Sequence, residues 1–173
     1  MDVGQYDNLL KARASKGDLV LVLGAGVNGG SLNRRNEEIK AGRALAEALC
    51  EEMGESYNEE SLADVVSAFE HVLGRDALNK VLIREFRFTK PSDSVRQLLK
   101  YTWKRIYTFN YDDSLDEAAK DSVQRPHPYN GMIDAVEDIQ GLSDLQVIYL
   151  HGRVGKRSHG YLLGVGRVLA SLE

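Results

Sequence analysis

Asp18-Leu19-Val20-Leu21-Val22-Leu23-Gly24-Ala25-Gly26-Val27-Asn28-Gly29-Gly30 is an unbroken apolar run that stops abruptly at a cluster of glycines. A strand covered on both faces by helices shows no polar alternation. The Leu/Val run therefore fits the centre of a parallel α/β sheet rather than an edge hairpin. Gly24, Gly26 and Gly29 satisfy the spacing G-x-G-x-x-G. Glycine suits this place because the chain must turn sharply off the strand, and because a Cβ would hold a pyrophosphate away from the backbone N–H groups. A dinucleotide is the natural guest of such a loop. The plainer alternative is a Leu/Val strand that ends in a glycine turn and binds nothing.

Upstream, Asp2 is placed to cap a helix carrying Leu9, Leu10 and Arg13, with Gly17 as its left-handed stop, and this helix is expected to pack on the sheet. Downstream, a polar connector from Ser31 leads to Asn36, which reads as the cap of a helix running to Met53 with Ile39, Leu45, Ala46, Leu49 and Met53 on one face. Ser61 opens the next helix as part of a capping box, with Leu62, Val65, Val66, Phe69 and Leu73 inward and Gly74 as its stop. Leu78, Val81, Leu82 and Phe86 recur at helical spacing, and Ser92 caps a short helix bearing Val95, Leu98 and Leu99. An all-helical insertion over about residues 37–101 therefore separates the first strand from the second.

Trp103 to Phe109 predicts that second strand, followed by a helix over about 113–120. The stretch from Arg125 to Gly131 holds two prolines and a glycine and reads as loop. Leu145 to Leu150 predicts a third strand that delivers His151-Gly152, and Gly160 to Val165 is apolar enough for a fourth. The whole reads as a single α/β domain, a Rossmann-like parallel sheet with helices on both faces and the helical insertion after the first strand.

With 173 residues, 43% of them hydrophobic, the chain has the material for one substantial core. Its 22 basic and 26 acidic residues give a formal charge of -4, and no Lys/Arg stripe is long enough to follow a phosphate backbone, so direct nucleic-acid binding is not expected. The single cysteine, Cys50, excludes an intramolecular disulfide and a four-cysteine zinc site, and fits a reducing cytoplasm. No apolar run reaches membrane-spanning length and no signal peptide is evident, so no membrane association is expected.

The polar residues gather after three strands: Gly24-Ala25-Gly26, Thr108-Phe109-Asn110-Tyr111-Asp112 and Leu150-His151-Gly152. In an open parallel sheet the carboxyl ends of the strands converge on one crevice, so these residues are expected to surround one ligand. In their order and their positions after strands, the three segments resemble the sirtuin-like domains, and within them the NAD-hydrolysing branch found in bacterial antiphage defence proteins. The resemblance covers roughly Leu19 to Gly152.

It implies that NAD is the substrate, that Asn110 holds the nicotinamide ribose and orients water, and that His151 is the general base. It further implies that Gly24, Ala25 and Gly26 line the diphosphate, with Val27, Asn28, Thr108, Asp112 and Gly152 completing the cofactor contacts and Asp112 supporting the loop that carries Asn110. Also implied are a homo-oligomer, an accompanying sensor domain or partner protein, and a chain shortened on its C-terminal side, where the family continues with further strands. The zinc-binding cysteines of sirtuin deacylases are missing, and Val27-Asn28 stands where they carry a serine, so NAD cleavage is favoured over deacylation.

Other readings stay open. His151 at a strand end also fits a structural histidine bonded to a carbonyl, and Asn110-Tyr111-Asp112 fits a turn and helix cap. Trp103 and Phe109 read as core residues, and His71, His127 and His159 as residues without a ligand. A catalytically silent NAD or ADP-ribose binding module is the main alternative function. A dehydrogenase is disfavoured, because Glu47, at the distance of a ribose-binding acid, falls inside a helix rather than after a second strand.

Overall fold

The apolar run after Asp18 extends as β1 (Val20–Leu23) and gives way at Gly24 to one 3-10 turn (Ala25–Asn28). Three further strands join it: β2 (Arg105–Thr108), β3 (Arg125–Asn130) and β4 (Asp144–Tyr149). They form a sheet of order β1-β2-β4-β3 in which every pairing is parallel. The structure is a computed structural model and describes residues 3–131, 134–137, 139 and 141–154; the strand expected over Gly160 to Val165 and the loop residue His159 lie outside them. Leu23 stands opposite Thr108 and Thr108 opposite Tyr149, so β1, β2 and β4 finish level with one another.

Six helices accompany the sheet in the described residues: α1 (Val3–Ser15), α2 (Arg43–Met53), α3 (Leu62–Leu73), α4 (Arg75–Phe86), α5 (Asp93–Leu98) and α6 (Ser114–Ala118). The arrangement is a Rossmann-like α/β fold, and α2 to α5 are the helical insertion between β1 and β2. Two apolar clusters hold it together. Leu45 and Leu49 of α2, Val66 and Phe69 of α3, and Leu78 and Leu82 of α4 form the core of the insertion, each at most 1% exposed. Leu23, Ile106, Val147 and Tyr149 of the sheet pack with Val95 of α5 and with Leu115 and Ala118 of α6 as the second.

Local signals set several boundaries. The Ser61 hydroxyl accepts from the Asp64 N–H at 3.1 Å and starts α3. Ser92 likewise receives the Val95 N–H at 3.5 Å and starts α5. Gly17, at φ +65°, ends α1, and a Cβ there would lie 2.8 Å from Thr102 Cγ2, so both conformation and space call for glycine.

Other expectations are corrected. The apolar run places β1 at an edge of the sheet among the described residues rather than at its centre, and Val20 and Val22 are 49% and 61% exposed. Leu9 and Leu10 of α1 are also exposed, so the expected packing of this helix on the sheet is not found, and Leu73 points outward at the end of α3. Asn36 caps no helix. It adopts φ +62° within an irregular strap over residues 31–42, and α2 begins only after Gly42. Glu85 of α4 fastens the strap: it accepts from Asn33 Nδ2 at 3.2 and 3.3 Å and from the Lys40 N–H at 3.1 Å.

The proline-rich stretch from Arg125 is β3, not loop. The Arg125 and Gly131 N–H groups donate to Ser143 and Tyr149 of the β4 side, whereas the Asn130 N–H turns away to the Asp134 carboxylate. Residues of even number therefore direct their nitrogens outward, and Pro126 and Pro128 lose no ladder bond.

Candidate functional site

The level ends of β1, β2 and β4 border a cavity of about 980 Å³. It is walled on the sheet side by Ala25, Gly26, Asn28, Phe109, Asn110, Asp112 and His151, and on the far side by the strap and by the starts of α2 and α3, including Lys40, Ala44 and Leu62. Phe86 and Tyr111 close the seam between them, ring against ring edge with centroids 5.4 Å apart. The volume falls at the upper end of the range of small-molecule sites, about 300–1,000 Å³.

The glycine turn shapes one wall. Gly24 has an ordinary extended backbone at φ -113°, and a Cβ built on Gly24 or Gly26 meets nothing within 4 Å. Neither backbone strain nor packing inside the protein explains these two glycines, which leave open room at the turn. A helical turn has no internal partner for its first N–H groups, and Ala25 and Gly26 line the cavity. Backbone donors without side chains in the way suit a diphosphate.

Asn110 follows β2 and is 7% exposed. Its backbone N–H donates to the Thr108 hydroxyl at 3.1 Å, and its Nδ2 donates to the Gly24 carbonyl at 3.2 Å. The amide is thereby tied to the glycine turn through one of its two N–H hydrogens, and its Oδ1 is the atom able to accept from a ligand hydroxyl or water.

Beneath it lies a buried polar knot. Asn28 Nδ2 donates to one Asp112 oxygen, the Ser114 N–H donates to the other at 2.9 Å, and the Ser114 hydroxyl donates to Asn28 Oδ1 at 3.1 Å. Burial raises the proton affinity of Asp112, against the lowering effect of its Ser114 bonds. The knot joins the turn after β1 to the loop after β2.

His151 sits in a tight turn closed by the Gly152 N–H donating to the Tyr149 carbonyl at 3.2 Å. Its ring meets Phe109 edge-on with centroids 5.0 Å apart. Partial burial holds the imidazole below its ordinary pKa of 6.5, so it is neutral at neutral pH.

Of the expected site residues, Ala25, Gly26, Asn28, Asn110, Asp112 and His151 share this one cavity. Gly24, Val27, Thr108 and Gly152 are not in its lining. Gly24 lends its carbonyl to Asn110, and Val27 packs against the sheet core. Thr108 is fully buried and holds Asn110, and Gly152 adopts φ +80° in the turn that carries His151. Sequence reasoning missed Phe109, read as core: it is 43% exposed and faces His151. Its place beside Asn110, where the chain leaves the sheet, was the available signal. It also missed Tyr111, Phe86 and the strap, which only the tertiary fold brings to the site. Trp103 is largely a packing residue, with its indole N–H on the Leu98 carbonyl at 2.8 Å. His127 pairs with Asp144 at 2.8 Å, away from the cavity.

No family model matches the chain, and no curated protein sequence matches it. No helix among the described residues is long and apolar enough to cross a membrane.

Proposed function

We propose that the chain is an NAD hydrolase, which cleaves the bond between nicotinamide and ribose to release nicotinamide and ADP-ribose, and that it serves as a cytoplasmic effector domain of a bacterial defence protein. The observation that carries this reading is the meeting of an amide, Asn110, and a neutral imidazole, His151, in one cavity with the open glycine turn, at the carboxyl ends of three adjacent strands. The defence role and assembly with other copies or a sensor rest on the sirtuin-like resemblance alone.

The chemistry asks little of the protein. Nicotinamide departs as a neutral base from a cationic ring, so no acid is needed to protonate it. The C1′–N bond breaks as an oxocarbenium-like centre develops, and water forms the new C1′–O bond. Asn110 Oδ1 accepts from the ribose or from that water, and His151 takes the proton that the water loses. Backbone N–H groups at Ala25 and Gly26 receive the diphosphate, and the polar knot of Asn28, Asp112 and Ser114 keeps turn and amide in register.

Incubation of the purified chain with NAD, followed by chromatographic separation of the products, tests the reading. Equal amounts of nicotinamide and ADP-ribose are expected. Thermal stabilisation by NAD without product would instead identify a silent binding module, and neither effect would remove NAD from the account.

A further inference from the structure

We propose that Asp116 is a positioning residue for His151, acting through Arg153 from behind the cavity. The proposal rests on the NAD hydrolase reading for its kinetic consequence and on the geometry alone for its structural one.

Asp116 lies on α6 and Arg153 two residues after His151, and neither lines the cavity. The Arg153 guanidinium pairs with Asp116 Oδ2, the Tyr149 hydroxyl donates to Asp116 Oδ1 at 3.1 Å, and the Arg153 guanidinium lies 5.2 Å from the centroid of the Tyr149 ring. Both charged side chains are largely buried, 17% and 20% exposed, where an ion pair is screened little by water. Tyr149, the last residue of β4, is fully buried. The turn bearing His151 is therefore gripped just before it by a tyrosine and just after it by an arginine, both on one carboxylate. A second anchor fixes the other side: the Val154 N–H donates to the Tyr111 carbonyl at 2.8 Å, and the Val154 side chain is buried in the insertion core. His151 is thus held between the sheet side and the insertion core. Tilting an imidazole by an ångström is enough to cost a general base much of its effect.

The charged and titratable groups around Asp116 are Asp112 and Asp113 before it on the chain, Lys120 after it, Tyr149 of β4, and Arg153. Burial, opposed by Arg153, raises its pKa from 3.8 to about 6. The carboxylate is thus mostly ionised at pH 7, and the pair with Arg153 is intact there.

The test is made on Asp116→Asn, which keeps the shape and a hydrogen-bonding group but removes the charge, with Asp116→Glu as the conservative rescue and Arg153→Lys as a second disruption should the first variant not fold. The His151 ring signal is followed by NMR across pH, assigned by its disappearance in His151→Gln. In the wild-type chain the His151 titration midpoint lies below 6.5, as its burial dictates. In Asp116→Asn the freed turn exposes the ring and the midpoint rises toward 6.5, and Asp116→Glu restores it in part. For nicotinamide release, Asp116→Asn lowers kcat by about 10²-fold with KM little changed. An unaltered midpoint in both Asp116→Asn and Arg153→Lys would overturn the proposal. A shifted midpoint in a chain that never cleaves NAD would uphold it and sink only the hydrolase reading.

Discussion

On the proposed NAD hydrolase reading, Asn110 and His151 divide the work at the residue scale by what each atom has left to offer. One of the two Asn110 amide hydrogens is held by the Gly24 carbonyl, Oδ1 is the acceptor that a ligand would use, and the partial burial that Phe109 helps to provide favours the neutral form of His151. The account therefore predicts that Phe109→Ala, by admitting water to the imidazole, moves the His151 titration midpoint upward toward 6.5, as read from its NMR signal against pH. A midpoint that stays put would show that some other group shields the ring. The shared placement of Asn110 and His151 was legible from the chain because each follows a segment that reads as a strand. Phe109 was misread because side-chain direction just past the end of a strand depends on where the chain leaves the sheet.

Elements meet the site through the polar knot. Asn28, at the end of the glycine turn, lies 84 residues from Asp112, just ahead of α6, and 86 from Ser114, the first residue of α6, yet the three share three hydrogen bonds with almost no contact with water. Asn28→Ala takes one donor from the buried Asp112 carboxylate, which keeps the Ser114 N–H, and removes the acceptor of the Ser114 hydroxyl. A loss of about 1–3 kcal/mol is expected, measured by denaturant unfolding, together with weakened stabilisation by NAD. An unchanged midpoint of unfolding would mean that the knot is not under tension from burial.

Capping by Ser61 and Ser92 was readable because the hydroxyl and its N–H lie three residues apart. The strap was not: Asn36 resembles a cap, but Glu85, 45 to 52 residues away, captures Asn33 and Lys40 and bends the chain into a wall of the cavity. The strand nature of Arg125 to Asn130 was hidden for a similar reason. Prolines forbid a strand only where their nitrogens face a partner, and strand order decides that.

For the whole molecule, the cavity lies at the seam between the insertion core and the sheet core, so the site depends on two bodies staying docked. The class of fold followed from the pattern of one apolar strand, a run of helices and further strands. The edge position of β1 did not, since strand order is a long-range property that apolar content leaves undetermined.

Charge at the opposite, amino-terminal end of the strands gives the molecule a pH signature of its own. Asp144 bonds to His127 and Arg125, which together lower its pKa from 3.8 to about 2 and link β4 to β3. A carboxylate with a depressed folded pKa stabilises above its unfolded pKa, and that contribution fades as pH falls through the folded one. Asp144→Asn should therefore melt below the wild type at pH 7, with the difference shrinking from about pH 4 and gone only below about pH 2. A constant difference across that window would show that the carboxylate acts by shape and not by charge.

The most direct measurement is the rate of nicotinamide release from NAD by the wild-type chain, by Asn110→Ala and by His151→Ala, with folding of each variant checked by its melting curve. Groups that act on one bond are expected to lower the rate by about 10²-fold or more when either is removed, and the double variant should be little worse than the singles. Release from both folded variants at the wild-type rate would contradict the claim that this amide and this imidazole serve one reaction.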